Sequence, residues 1–221
     1  MWCIPEINDQ FIECMEDILA LYEVPYNPCE PVICFDEKSI QLLKDKRPGM
    51  PTQPYKPRRK DYEYKRNGTR NLFVVVEPKR GYRNVTITKR RTKQDFAHEI
   101  HRLAIIQYKN AQRIHIVLDN LNTHFEKSLI ETFGIRRTNA LMRRIQFHYT
   151  PVHASWLNMA EIEVSILSRQ CLRRRIPTEI ELHTIIGAWQ KRRNQQGVKI
   201  HWKFTQTDAR KAFNYMTSEL N

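Results

Sequence analysis

Arg113–His124 reads RIHIVLDNLNTH, an apolar run that ends abruptly in polar residues. Ile114, Ile116, Val117 and Leu118 are β-branched or aliphatic and form a short buried strand. Asp119 and Asn120 break strands and favour turns, so Asp119 is expected at the strand's carboxyl end. In open α/β sheets, ligands bind just beyond such ends. An acid in that place can also do no more than start a turn.

The flanks extend the pattern. Pro31–Glu37 (PVICFDE) repeats the plan of an apolar run ending in acids, and Asn71–Glu77 (NLFVVVE) is a strong strand. Tyr82–Thr88 alternates as its neighbour across a hairpin containing Gly81. Helical spacing covers Ile7–Tyr22, and Thr92–Tyr108 with Thr92 as N-cap and Phe96, Ile100, Leu103, Ala104 and Ile106 as its apolar stripe. It recurs over Lys127–Phe133, over Asn158–Arg173 with Ile162, Ile166, Leu167 and Cys171 inward, and over Glu179–Asn194. A further strand covers Ile145–Tyr149. Lys44–Arg70, with four prolines among basic residues, reads as an exposed extended loop, and the tail after Gly197 is basic and aromatic without a clear element. This order predicts an α/β fold: a ribonuclease H-like mixed sheet with helices on both faces. The expected organisation is an N-terminal helix and connector over 1–30, a core over 31–176 and a basic helical extension over 177–221.

Composition narrows the function. The 221 residues carry 37 Lys and Arg against 24 Asp and Glu, a net charge of +13. Such an excess suits a polyanion, most commonly nucleic acid. No run approaches the roughly 18 apolar residues of a membrane span, and the start lacks the plan of a signal peptide, so no membrane partner is expected and the location is cytoplasmic. The five cysteines form no C-x-x-C pair, which argues against a zinc ribbon and a disulfide framework. No glycine-rich phosphate loop accompanies Asp119, and His98-Glu99-Ile100-His101 lacks the second histidine of H-E-x-x-H.

Asp36 and Asp119 each end a strand, and Glu161 lies near the start of the Asn158 helix. Three carboxylates converging on one sheet edge repel unless cations lie among them. Hard oxygen ligands suit Mg²⁺ or Mn²⁺, and two such ions can drive in-line phosphoryl transfer. Asn158-x-x-Glu161 also fits a capping box, and Glu163 is the alternative third acid, roughly 200° further round the helix.

F-D36-E-K, V-L-D119-N-L-N-T-H and Y-T-P-V-H-A-S-W-L-N158-M-A-E161 together resemble the DDE transposases of the mariner superfamily, nearest their bacterial insertion-sequence 630 branch. The resemblance runs from about Trp2 to Arg175, and the third motif is the most specific. It implies a catalytic core in which Asp36, Asp119 and Glu161 bind two Mg²⁺ or Mn²⁺ ions. Water then attacks an element end, and the freed 3′-hydroxyl attacks target DNA. It further implies double-stranded DNA partners (element ends and a TA target), a homodimer on DNA, and a bacterial, nucleoid-associated location. Such transposases usually carry an N-terminal helix-turn-helix that recognises the element ends. Here Ile7–Tyr22 is a single helix, so end recognition is expected from a separate N-terminal DNA-binding polypeptide. The competing readings are a non-catalytic DNA-binding remnant and a nuclease of RNA–DNA hybrids.

Residues expected around the acids are Asn120, His124, His153 and Asn158, as groups that support the metal ligands or contact phosphate. Basic clusters at Lys56–Lys60, Lys89–Lys93, Arg136–Arg144, Arg169–Arg175 and Lys191–Arg193 favour a continuous DNA track. Arg58, Arg59, Lys60, Arg169, Arg173 and Arg174 are its expected members. Trp156 is expected as core or lining rather than as a stacking platform.

Overall fold

The computed structural model describes residues 7–47, 49–57, 61–121 and 125–215. His124 and Arg58, Arg59 and Lys60, expected to contact DNA or line the site, lie outside the described residues. Five strands form one mixed sheet: β1 (Val32–Asp45), β2 (Tyr64–Glu77), β3 (Tyr82–Thr88), β4 (Ile114–Leu118) and β5 (Ile145–Tyr149). Their spatial order is β3-β2-β1-β4-β5. The β1–β2 and β2–β3 pairs are antiparallel, and β1–β4 and β4–β5 are parallel. Around the sheet lie α1 (Asp9–Glu23), α2 (Lys93–Arg102), α3 (Glu126–Phe133), α4 (Ile135–Met142), α5 (Met159–Cys171), α6 (Glu179–Gln195) and α7 (Gln206–Phe213).

Side chains alternate along each strand, which gives the sheet two apolar faces. Ile33, Phe35, Phe73, Val75, Ile116 and Leu118 pack on one side against Phe96, Ile100, Leu129 and Leu141 of α2, α3 and α4. The opposite face divides in two. Cys34, Val76 and Val117 meet Phe11, Met15, Ile18 and Leu19 of α1. Leu42, Leu72 and Val74 meet Leu167, Leu182, Ile186 and Trp189 of α5 and α6. Helices therefore cover both faces, as the element order predicts.

Local chemistry sets the helix ends. The Asn8 side chain accepts from the Phe11 amide at 2.9 Å at the start of α1. Thr92 and Asp95 form a reciprocal capping box on α2. That helix ends in a π-turn over Leu103–Gln107, closed by Tyr108 N–H donating to the Leu103 carbonyl at 2.8 Å. The turn shifts the helical phase, so Ile106, expected inward, is exposed. Arg144 collects the freed carbonyls, donating to Ala104 at 3.1 Å, Tyr108 at 2.8 Å and Ala111 at 2.8 Å.

Four further expectations are corrected. Lys44–Arg70 is not one loop: β1 runs on to Asp45 and β2 begins at Tyr64, as a polar two-stranded ribbon. The β2 half of the ribbon, Tyr64–Arg70, carries no apolar alternation, and Leu42 of β1 is the one ribbon residue buried in the core. Arg175 ties the base of the remaining loop, donating to Asp45 Oδ1 at 2.6 Å and to the carbonyls of Asp61 at 2.8 Å and Tyr62 at 3.0 Å. A separate helix, α4, follows α3 across Gly134, whose φ of +77° favours glycine. Ile162 faces outward, while Glu163 and Val164 turn in. After Gly197, α7 forms on a Thr205–Asp208 capping box and binds α1, where Arg210 Nε donates to Glu16 Oε1 at 2.9 Å.

Candidate active site

Asp36 on β1 pairs with Val74 on β2 and so shares the face covered by α5 and α6. The parallel register places Cys34 beside Val117. Continued by two residues, the same register brings Asp36 beside Asp119, which directly follows β4. Glu161 reaches this edge from the first turn of α5. Electrostatics tie the three together. Burial pushes the Asp36 carboxyl up, and the negative charges of Glu161, Asp119 and Glu37 add to it. A hydrogen bond donated by the Glu37 amide at 2.7 Å opposes them, and the result is about 7.

Asn158 holds the geometry. Its Oδ1 accepts from the Ala160 amide at 3.0 Å, capping α5, and its Nδ2 donates to the Phe35 carbonyl at 2.8 Å. The buried amide thus joins the start of α5 to the residue preceding Asp36. Glu161 is not part of the cap and is exposed. Glu163, the alternative third acid, is fully buried and faces the other way, with Arg193 Nε donating to its Oε1 at 2.7 Å and Arg83 Nε lying 3.1 Å from it.

Two hollows flank the acids. One, of about 360 Å³, is lined by Ser155, Trp156, Glu161, Ile162, Ser165 and Arg169, so a cation and an aromatic face lie beside the third acid. Trp156 itself stacks on Trp202, with ring centroids 6.3 Å apart, which makes it core and lining at once. The other hollow, of about 420 Å³, lies at the carboxyl ends of β4 and β5, with Asn120, Tyr149, Thr150 and His153 in its wall. His153 adopts a φ of +63° in a turn closed by Ala154 N–H donating to the Pro151 carbonyl at 3.0 Å. Arg173 and Arg174 are not brought to Glu161. They line a separate hollow beyond α5 with Ile185, and Arg174 pairs with Glu181 at 3.2 Å. Sequence reasoning passed over Ser155, Ser165 and Arg83, and it placed Arg193 in a basic cluster of the DNA track, whereas Arg193 is buried against Glu163. For the two arginines the one available signal was Glu163, an acid at a helical position that packing turns inward.

Among the described residues, no group of three or more histidines, cysteines, aspartates or glutamates stands close enough together to hold a metal ion. The donor chemistry nevertheless fits hard divalent cations, because burial first, and the charges of Glu161, Asp119 and Glu37 after it, disfavour the Asp36 carboxylate, and a bound cation would favour it.

The family described as DDE superfamily endonuclease matches residues 31–183. The chain belongs to this family. No curated protein matches the sequence. Among solved structures, the Mos1 transposase paired-end complex with left transposon end superposes with a TM-score of 0.56 at 15% identity, covering 90% of this chain and 61% of that one. The Mos1 mariner paired-end complex with Mn gives 0.55 at 14% identity, with 90% and 61% covered. The corresponding complex with Mg gives 0.54 at 14% identity, with 92% and 66% covered. The likeness is one of fold, the ribonuclease H-like fold of DDE transposases. The chain spans about three fifths of the length of the first of these.

Proposed function

We propose that this DDE endonuclease domain is the catalytic domain of a mariner-superfamily transposase, cutting a DNA strand and joining the freed 3′-hydroxyl to target DNA. The observation that carries the proposal is the convergence of Asp36, Asp119 and Glu161 on one sheet edge, registered in the charge that Glu161 and Asp119 impose on Asp36. In this reading all three acids are catalytic metal ligands. Two Mg²⁺ or Mn²⁺ ions, the metals named for the Mos1 complexes, would supply charge neutralisation and a deprotonated attacking oxygen.

The chain's own residues do the positioning. Asn158 fixes Glu161 against Asp36 through the Phe35 carbonyl. Arg169, in the groove beside Glu161, draws the DNA backbone toward the acids. The net charge of +13 favours association with DNA at a distance. Double-stranded DNA as the partner, as for the Mos1 complex with its transposon end, and a homodimer on that DNA complete the proposal. A cytoplasmic, nucleoid-associated location in a bacterium belongs to the same proposal and rests on the sequence resemblance alone. The insertion-sequence 630 branch rests on the sequence motifs alone.

The test is Mn²⁺-dependent nicking of supercoiled plasmid by the wild type beside Asp119→Asn. The wild type is expected to nick, and the variant to lose nicking while binding DNA at least as tightly, since a negative charge is removed. Absence of nicking by both proteins, with folding and DNA binding intact, identifies a non-catalytic remnant instead.

A further inference from the structure

Behind the candidate site, α5 is held by a second set of bonds that the reaction does not use. Glu163 is fully buried, and two arginines from distant parts of the chain close on it. Arg193 makes a forked contact, Nε to Oε1 at 2.7 Å and Nη2 to Oε2 at 3.2 Å. Arg83, itself fully buried, lies with Nε 3.1 Å from Oε1. Its remaining donors go to the carbonyls of Gly81 at 2.9 Å, Arg193 at 3.1 Å and Val198 at 2.7 Å. Asn194 then brackets the backbone of Arg83, accepting from its N–H at 2.9 Å and donating to its carbonyl at 2.8 Å. One turn earlier in α6, Gln190 accepts from the Val85 amide at 2.8 Å. The corner is tight as well: a Cβ on Gly81, whose φ is +73°, would meet the Gly197 carbonyl oxygen at 2.5 Å. Edge strand β3, α5 and the end of α6 are thereby locked into one block.

One carboxylate between two guanidiniums leaves a net positive charge in a dry place, an arrangement that apolar side chains of similar volume often match or exceed in stability. Apolar packing leaves a helix freer to turn about its axis. A bidentate ion pair sets that rotation, because the guanidinium fork accepts the carboxylate in one plane. Glu161 lies two residues before Glu163, roughly 200° round the helix, so the rotation that seats Glu163 in the block aims Glu161 at Asp36. Asn158 fixes the first turn to β1, and Glu163 fixes the turn that follows.

We propose that Glu163, gripped by Arg83 and Arg193, is a positioning residue that sets the rotation of α5 and so aims Glu161 at the divalent metal site. This rests on the reading of Asp36, Asp119 and Glu161 as metal ligands. Supporting groups behind ligands change metal affinity by about 10–100-fold in other proteins, and a similar effect is expected here.

The experiment compares the wild type with Glu163→Gln, Arg193→Lys, Glu161→Gln and Ile186→Ala. Each is measured for thermal midpoint, Mn²⁺ affinity by electron paramagnetic resonance well below that midpoint, DNA affinity in EDTA, and plasmid nicking against Mn²⁺ concentration. Ile186 is a buried residue of α6 outside the ion cluster, so its variant loses stability without touching Glu163. Glu163→Gln and Arg193→Lys are expected to weaken Mn²⁺ binding about tenfold or more. Their nicking should recover at high Mn²⁺ and their DNA affinity should be unchanged, while Ile186→Ala keeps wild-type Mn²⁺ affinity. Wild-type Mn²⁺ affinity in folded Glu163→Gln and Arg193→Lys, with Glu161→Gln impaired, overturns this inference alone. Equal Mn²⁺ binding by the wild type and Glu161→Gln overturns the underlying reading of the site. If neither cluster variant folds, the cluster is structural only and the inference fails.

Discussion

Asp36 is held where its own charge is unwelcome. Its carboxyl is raised from 3.8 to about 7, so between those values the folded chain binds more protons than the unfolded one. In metal-free buffer, stability should therefore be fully present below about pH 4 and fall as pH rises toward 7. Asp36→Asn removes the conflict. In EDTA at pH 8 it is expected to stabilise the fold by about 2 kcal/mol, after allowing for screening at a half-buried position, with little difference near pH 4. Thermal melts of the two proteins across that range check this, and an unchanged midpoint at pH 8 refutes it. The same variant should lose Mn²⁺ binding, the familiar opposition of stability and function. Most of this site is legible residue by residue, because Asp36, Asp119 and Glu161 sit in recognisable local patterns. The choice between Glu161 and Glu163 is not, since it depends on Arg83 and Arg193, which only tertiary structure brings to the helix.

At the scale of elements, the strands with continuous apolar runs and the helices with clear stripes were readable, and so was the Thr92 cap. What escaped notice was structure whose stabilisation comes from elsewhere in the chain. The polar ribbon of β1 and β2 depends on Arg175, and α7 depends on Glu16 of α1. The π-turn after α2 is the clearest case, because no local pattern announces a partner at Arg144. Replacing that arginine takes its donors from the carbonyls of Ala104 and Ala111, while the Tyr108 carbonyl keeps the Ala111 N–H at 3.0 Å. Arg144→Met is expected to destabilise the fold by about 3 kcal/mol, and Arg144→Lys, which keeps a charge without the fork, to recover part of it. Urea melts give both numbers, and a loss under ~1 kcal/mol for the methionine variant would show that the turn supports itself.

For the molecule as a whole, charge and closure matter most. A net charge of +13 predicts that DNA affinity falls steeply and linearly on a log–log plot against salt. Arg169→Ala is expected to reduce that slope by about one, with no change in sequence preference. Titrations of labelled duplex over a range of salt measure it, and an unaltered slope removes Arg169 from the DNA path. Closure comes from α7, which returns to α1: Glu16 accepts from Arg210 and from the Tyr215 hydroxyl at 2.7 Å. A ribosome adds about 5–20 residues per second, so α1 waits many seconds for the side chains that complete its surroundings. Through that interval Phe11 and Tyr22 lack Phe213 and Trp202, the rings they finally pack against. The packing around α1 is therefore completed only once residue 215 has emerged, late in synthesis rather than strand by strand.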